Sequence, residues 1–455
     1  MLSQLAESLA PDPVILGLRA REFARLDANG QVYLDYGGSA LYGESQLCRH
    51  LEMLRRGVYG NPHSEHEPSR ESTRLLEVAR DRLLRFLDVD TSTHEVCFTA
   101  NATGAIKLVA ESYPFGRNRI CVLTTDNHNS VNGLREYARR AEASVRYLPL
   151  GRDLRLADPA AALAFAARGR QGLFAFPGQS NFSGVRHNQG LVDAAHGLGL
   201  DVLIDIAALA PSMPFSLRTC EADFAVLSFY KLFGYPTGLG ALVATHEALA
   251  RLQRPWFAGG TVSYASVQLR RHRLKKGHEG FEDGTPDFLG VAAVPAGFDL
   301  LEEAGMRRLK AHVGRLTAAC LSGLQALRHR SGERLVTIYG PPTLRDRGGA
   351  IAFNVLDPEG RPIPYPQVER HLREAGVAVR GGCFCNPGAA EAAFSFDPWT
   401  SARCFDAAGD GFTVERFSSC LGAGAPVGAI RISLGLANRD ADVERALDAL
   451  SSFSA

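Results

Sequence analysis

The chain has 455 residues, enough to bury a large core and to form two or three domains. Its 50 basic and 49 acidic side chains leave a formal net charge of +1, so no overall field favours nucleic acid or an anionic membrane. No charge-free apolar stretch reaches the ~18 residues of a membrane span, and the N-terminus lacks the basic start, apolar run and small-residue cleavage site of a signal peptide.

Taken in chain order, the N-terminal segment reads as a short helix, a Pro-broken turn and a second helix. From about residue 70, extended and helical segments alternate. Apolar, β-branched or aromatic runs lie at Val96–Thr99, Ile120–Thr124, Val145–Leu148, Leu173–Phe176, Val202–Ile206, Phe224–Phe229 and Ala241–Ala244. Several are continuously apolar, as expected of strands buried on both faces. Helical stretches are predicted between them at Ser69–Leu87, Ala102–Glu111, Val131–Ala143 and Gln189–Gly197. Such alternation predicts an α/β fold with a mainly parallel sheet, whose ligands collect beyond the carboxyl ends of the strands. After about residue 295 the texture changes. One long helix is expected at Ala296–Arg328, extended segments at Ala350–Leu356, Val377–Val379 and Ala429–Leu434, and helices at Pro366–Ala375 and from Asp440 to Phe453. The Gly-, Ala-, Ser- and Phe-rich stretch Ala389–Pro426 reads as a long surface loop or flap.

Nine cysteines are too few for a disulfide scaffold, and their odd number leaves at least one unpaired. A reducing cytoplasm fits. The close pair Cys383 and Cys385 has C-x-C spacing with no second pair at zinc-binding distance, so no structural metal is expected.

The most informative stretch is SFYKLFGYPTGLGALVA (Ser228–Ala244), which puts Lys231 just after a buried apolar strand and before a Gly-rich turn. Alone, such a lysine is ordinarily a snorkelling strand-end charge. The functional reading is a lysine whose pKa is lowered so that it can attack an aldehyde as a Schiff base. Asp205, in LIDIAALAPS, ends a hydrophobic strand. It is either a helix N-cap or a buried carboxylate needing a cation, such as the protonated pyridine nitrogen of pyridoxal 5'-phosphate (PLP). FTANATGAIKLVAE presents the amides of Ala102, Thr103 and Gly104 and the Thr103 hydroxyl at a helix start suited to phosphate, although such turns are also common caps. His128, in TTDNHNSVNG, is a loop histidine or an imidazole stacked on a cofactor ring.

In matching order, TANATGA, DNHNSVNG, GQSNFSGVR, IDIAALAPS and SFYKLFGYPTGLG resemble the class V aminotransferase group of fold-type I PLP enzymes. The segments VYLDYGGSALYGESQ, YGNPHS, GGTV, EDGTPDFL and RGGCFCNPGA bring the resemblance nearest to the PLP domain of molybdenum-cofactor sulfurases and to cysteine desulfurases. It spans about Val32 to the C-terminus. It implies a large domain (31–295) with a mainly parallel seven-stranded sheet that binds PLP. A smaller α+β domain (296–455) would carry the Cys385 loop, with residues 1–30 packing against it.

The same resemblance implies that Lys231 holds PLP, Asp205 pairs with the pyridine nitrogen, His128 stacks on the ring and Asn181 lies near the phenolic oxygen. Ala102, Thr103 and Ser228 would bind the phosphate, with Tyr230 where many relatives carry histidine. Thr285 matches a residue that reaches the phosphate of a neighbouring subunit, implying a homodimer with shared sites. Arg431, in AIRISLG, matches the arginine that forks onto an amino-acid carboxylate. Cys385, in VRGGCFCNPG, aligns with the desulfurase cysteine that takes sulfur from L-cysteine as a persulfide and leaves L-alanine. Arg380 would favour its thiolate, and Cys383 is a neighbour.

Ala208 stands where desulfurases carry glutamine, as in the cofactor-sulfurase group. Three departures concern the sulfur acceptor, a protein or a cofactor: Ala390 replaces a further cysteine, the region Glu391–Val427 is locally atypical, and the cofactor sulfurases' additional C-terminal domain is not expected in this sequence. The expectation is a PLP-dependent, cysteine-desulfurase-like sulfurtransferase. The competing readings are another class V reaction (C–S lyase, epimerase or aminotransferase in specialised metabolism) and a non-catalytic scaffold.

Overall fold

The computed structural model describes residues 11–422 and 425–454. The first of the two expected N-terminal helices lies outside those residues. The second spans Pro13–Glu22 and is started by Asp12, whose carboxylate accepts the Val14 and Ile15 amides. Arg19 ties this helix to the last one, Asp440–Ser451, through an ion pair to Asp442 at 2.8 Å. Strand β1 (Val32–Tyr33) pairs in parallel with β13 (Val377–Ala378), so the chain start is stitched to the C-terminal third.

The central sheet has seven strands: β2 (His94–Thr99), β3 (Ile120–Thr124), β4 (Ser144–Leu148), β5 (Gly172–Pro177), β6 (Leu200–Asp205), β7 (Phe224–Ser228) and β8 (Gly240–Thr245). Their order is β2-β8-β7-β6-β5-β3-β4, and β8 alone runs against the others. All seven predicted runs are strands. The apolar ones, β3, β5 and β7, are buried at every position, whereas β4 at the sheet edge is half open. Because β8 alone is reversed, β2, β3, β5, β6 and β7 all deliver their carboxyl ends to one edge. Asn101, His128, Gln179, Asp205 and Lys231 follow or end those strands.

A second, antiparallel sheet in the order β11-β12-β15-β14 is built from Val336–Tyr339, Ala350–Val355, Ala429–Ser433 and Arg380–Gly382. It carries Arg431 on a central strand. Between the two sheets in chain order, β9 (Val262–Ser266) and β10 (Arg271–Leu274) form a hairpin absent from the sequence expectation. Tyr264, Val267 and Leu269 on it face outward. None of the described helices is long and apolar enough to cross a membrane.

Three expectations need correction. The long helix at Ala296–Arg328 is two helices, Val294–Ala304 and Met306–Ala326, broken at Gly305, which turns through φ +71°. The helix at Val131–Ala143 is likewise two short ones, Asn129–Asn132 and Leu134–Arg140, joined at Gly133. The flap at Ala389–Pro426 is largely helical, with helices at Pro387–Ala393, Pro398–Ala408 and Val414–Leu421. Asn386, Asp397 and Thr413 cap their first turns, and two of the three begin on proline. Alanine richness, taken for loop composition, is helix-favouring once such caps are present. A disulfide, Cys404–Cys420, joins the last two helices; the other seven cysteines are free.

Candidate active site

Lys231 sits in a five-residue helix, Phe229–Phe233, directly after β7. With it, Ala102, Thr103, His128, Asn181, Asp205, Ala208, Ser228 and Tyr230 line a single cavity at the carboxyl edge of the sheet. Residues predicted from five separate motifs are therefore brought to one place. Desolvation lowers the pKa of the Lys231 amine and the Arg431 charge adds to this, while Asp205 opposes it. The amine is thereby held closer to its neutral, nucleophilic form.

Asp205 is buried and accepts the Ala207 amide at 2.9 Å. No described cation lies within ion-pair distance of its carboxylate. A buried carboxylate facing a cavity without a counter-ion is costly unless a cationic group completes it. Opposite, the helix Ala102–Ser112 is capped by Asn101, whose side chain accepts the Gly104 amide at 2.9 Å. The Ala102 amide donates to Ser228 Oγ at 2.8 Å, fixing the helix start against the end of β7. Thr103 Oγ1 meets Ser130 Oγ at 2.7 Å, and Ser130 in turn donates its amide to His128 Nδ1 at 3.2 Å. With Nδ1 accepting, a neutral His128 carries its proton on Nε2. Desolvation, followed by the Lys231 charge, lowers the His128 pKa and favours that neutral form. The donor set thus offers an aldehyde-reactive amine, a flanking imidazole, an unpaired carboxylate and, for an anion, the Thr103 and Ser228 hydroxyls at a helix start whose Ala102 and Gly104 amides are taken by Ser228 Oγ and Asn101 Oδ1. It fits a phosphorylated, cationic heteroaromatic aldehyde.

Arg431 and Cys385 approach from the second sheet. Arg431 is buried on β15; NH1 donates to the Asn181 carbonyl at 3.0 Å and NH2 to Asp35 at 2.9 Å. Arg380 grips the same Asp35 carboxylate, its NH2 lying 2.7 Å from Oδ2. Cys385 is exposed, on the turn between β14 and the helix Pro387–Ala393. Phe384 and Cys385 both adopt left-handed backbone, φ +58° and +56°, a conformation that non-glycine residues hold only when their surroundings enforce it. Those surroundings are explicit. Asn129 donates its amide to the Cys385 carbonyl at 2.7 Å, and Asn181 Nδ2 donates to the Phe384 carbonyl at 2.7 Å. The buried Asn386 donates to both the Asp126 carbonyl and Asn181 Oδ1. Gly388 is required for close approach, since a Cβ there would lie 2.1 Å from the Thr125 carbonyl oxygen.

Thr285 does not line the Lys231 cavity; its hydroxyl accepts from Asn61 Nδ2 at 3.2 Å, and it lines a separate cavity. The sequence reading missed Asp35, Ser130, Gln179 and Asn386 as site residues. The Gly-Gly pair after Asp35 and the Asn-Pro pair after Cys385 were the available signals.

A family model for class V aminotransferases matches residues 32–446, and the chain belongs to that family. Among curated proteins it is 34% identical to a molybdenum cofactor sulfurase of Arabidopsis thaliana, over 96% of this chain and 58% of that protein. It is 35% identical to the human molybdenum cofactor sulfurase, over 94% of this chain and 50% of that protein. The chain thus spans a little over half the length of these relatives. Among solved structures, the apo cysteine desulfurase of Thermococcus onnurineus NA1 superposes with a TM-score of 0.81 at 22% identity, covering 98% of both chains. The cysteine desulfurase CsdA of Escherichia coli gives 0.76 at 21% identity, covering 96% of this chain and 98% of the other. The fold is that of the cysteine desulfurases.

Proposed function

We propose that the protein is a PLP-dependent sulfurtransferase that converts L-cysteine to L-alanine, receives the sulfur on Cys385 and passes it to an acceptor. The observation that carries this reading is the convergence of Lys231, with its depressed pKa, and an exposed cysteine in left-handed backbone whose neighbour Phe384 is held by Asn181 of the same cavity. Relatives named molybdenum cofactor sulfurase and neighbours named cysteine desulfurase support it.

Lys231 would hold the aldehyde carbon of PLP, Asp205 the ring nitrogen, and Ala102, Thr103 and Ser228 the phosphate. When bound, the cofactor supplies an electron sink for the amino-acid α-carbon. Lys231 Nζ can take and return the proton at that carbon, burial having lowered its pKa and favoured the neutral amine. His128 presents Nε2–H beside it. Arg431 supplies fixed positive charge for the substrate carboxylate. Cys385 Sγ, as thiolate, attacks the substrate sulfur. One S–S bond forms and the C–S bond breaks, with the carbon taking a proton, so that L-cysteine and one thiol yield L-alanine and one persulfide without an external oxidant. Discharge of the persulfide to a nucleophilic acceptor, a protein or a cofactor, restores the thiol. A cytoplasmic location, which would keep Cys385 a free thiol, is part of this proposal, and there the Cys404–Cys420 bridge would be reduced.

A homodimer with shared sites is part of this proposal, with Thr285, which lies outside the Lys231 cavity, serving the second subunit. So is the division into a cofactor-binding unit (31–295) and a smaller unit (296–455) that carries the Cys385 loop and is packed by the N-terminal segment. The test is Cys385→Ala with L-cysteine. Alanine formation should fall at least a hundredfold while cofactor absorbance persists. Retention of the wild-type rate, or racemised or transaminated product, would move the protein to another class V reaction.

A further inference from the structure

The sequence reading gave Arg431 a free fork for a carboxylate, yet the structure shows that fork partly occupied. Asp35 holds Arg431 at 2.9 Å and Arg380 at 2.7 Å, and it is the only described carboxylate within ion-pair distance of either guanidinium. Glu369, the next acidic group, is engaged by the Gly381 amide at 3.1 Å. Two guanidinium charges and one carboxylate leave the triad with a net charge of +1.

The triad is closely packed. The Arg431 guanidinium lies over the Phe384 ring, 4.8 Å from its centroid. Its other surroundings include Gly37, where a Cβ would come within 2.8 Å of Arg431 Cζ. A Cβ at Gly38 would meet Asp35 Oδ2 at 2.4 Å and Arg380 NH2 at 2.5 Å. The Asp-Tyr-Gly-Gly run of residues 35–38 is thus a carboxylate followed by the backbone cradle that lets two arginines close on it. Arg431 Nε remains buried with no hydrogen-bond partner among the described residues, a donor whose burial is costly until an acceptor arrives.

We propose that Asp35 is a specificity-determining residue: by cancelling one of two arginine charges, it sets the site to accept amino acids with one carboxylate and an uncharged side chain, and to reject those with a second anionic group. This rests on the amino-acid-binding role of Arg431 under the proposed function. Asp35 does not touch the reacting atoms; it acts through Arg431 and through the charge it places beside the incoming carboxylate. At this range one unit charge is worth a tenfold or larger change in binding at the effective dielectric of a protein site.

The test compares L-alanine with L-aspartate, which differ by one side-chain carboxylate, as ligands of the holoenzyme by titration calorimetry. In Asp35→Asn the ratio of the aspartate Kd to the alanine Kd should fall about tenfold or more below wild type. In Asp35→Glu, which restores the charge, it should return toward the wild-type value. Arg380→Gln, on the half-exposed side of the triad, should move the ratio the opposite way, and it keeps the proposal testable if Asp35 variants do not fold. An unchanged ratio, or parallel weakening of both ligands, overturns the proposal and leaves Asp35 as a structural prop. A wild-type holoenzyme that binds neither amino acid contradicts the functional reading itself, and the proposal falls with it.

Discussion

Asn181 donates its side-chain amide to the Phe384 carbonyl at 2.7 Å, joining the wall of the Lys231 cavity to the loop that presents Cys385. The same side chain accepts Asn386 Nδ2 at 2.8 Å, and its own carbonyl accepts Arg431 NH1. One asparagine therefore locks together the cofactor cavity, the nucleophile loop and the carboxylate-binding arginine. This explains how an exposed cysteine can be held in a fixed place without a buried side chain of its own.

Asn386 is the second half of that lock. It is fully buried, donates to Asp126 O and Asn181 Oδ1, and caps the helix that follows through the Ala389 amide. Asn386→Ala strands those buried partners and should destabilise the protein by about 2–4 kcal/mol. Denaturant unfolding measures that cost. Alanine formation from L-cysteine should fall at least tenfold while the absorbance of bound PLP is kept. Loss of the absorbance as well would place Asn386 in cofactor binding.

His128 sets a pH dependence. Burial and the Lys231 charge put its pKa below the ordinary 6.5, so the ring is neutral at pH 7 and gains charge only as pH falls through that lowered value. Protonation would put a hydrogen on Nδ1, which could then no longer accept the Ser130 amide. The acid limb of kcat is therefore expected below pH 6.5. His128→Gln should lower kcat and flatten that limb; a limb unmoved by the substitution belongs to another group.

Asp205 should be the anchor for the ring nitrogen. Asp205→Ala is expected to weaken PLP retention by about tenfold or more, equivalent to ~1.4 kcal/mol, as measured by dialysis followed by cofactor absorbance. Retention equal to wild type would leave the carboxylate's burial unexplained.

Much of this was legible in sequence because burial on both faces writes itself as continuous apolar runs. The ends of those runs marked Asp205, Lys231 and His128. Asp35 was not legible as a partner of Arg431, because the two lie 396 positions apart and no local pattern encodes a pairing over such a separation. Left-handed backbone at Phe384 and Cys385 was equally hidden, since neither residue type prefers it and the cause is a set of distant amides. In the stretch 389–426, caps and alanines competed with a glycine- and serine-rich composition, and the caps won.

The Cys404–Cys420 bridge, also unforeseen, joins cysteines 16 positions apart on two exposed helices. Loop-closure entropy of such a length amounts to about 3 kcal/mol, and here it acts on a local unit. Cys404→Ser should speed limited proteolysis within 396–421 well above the wild-type rate under oxidising conditions. Reductant should bring wild type to the rate of the variant. Equal rates for both proteins without reductant would show that the bridge does not order the segment.

The central claim is that sulfur leaves the substrate on Cys385. The most direct measurement is a single-turnover reaction of the purified holoenzyme with L-cysteine in the absence of reductant, quantifying alanine and mapping persulfide by mass spectrometry. The account predicts alanine and Cys385 persulfide in equal amounts, neither of which forms in Cys385→Ala. Alanine without sulfur on Cys385, or sulfur mapped to another cysteine, would contradict it.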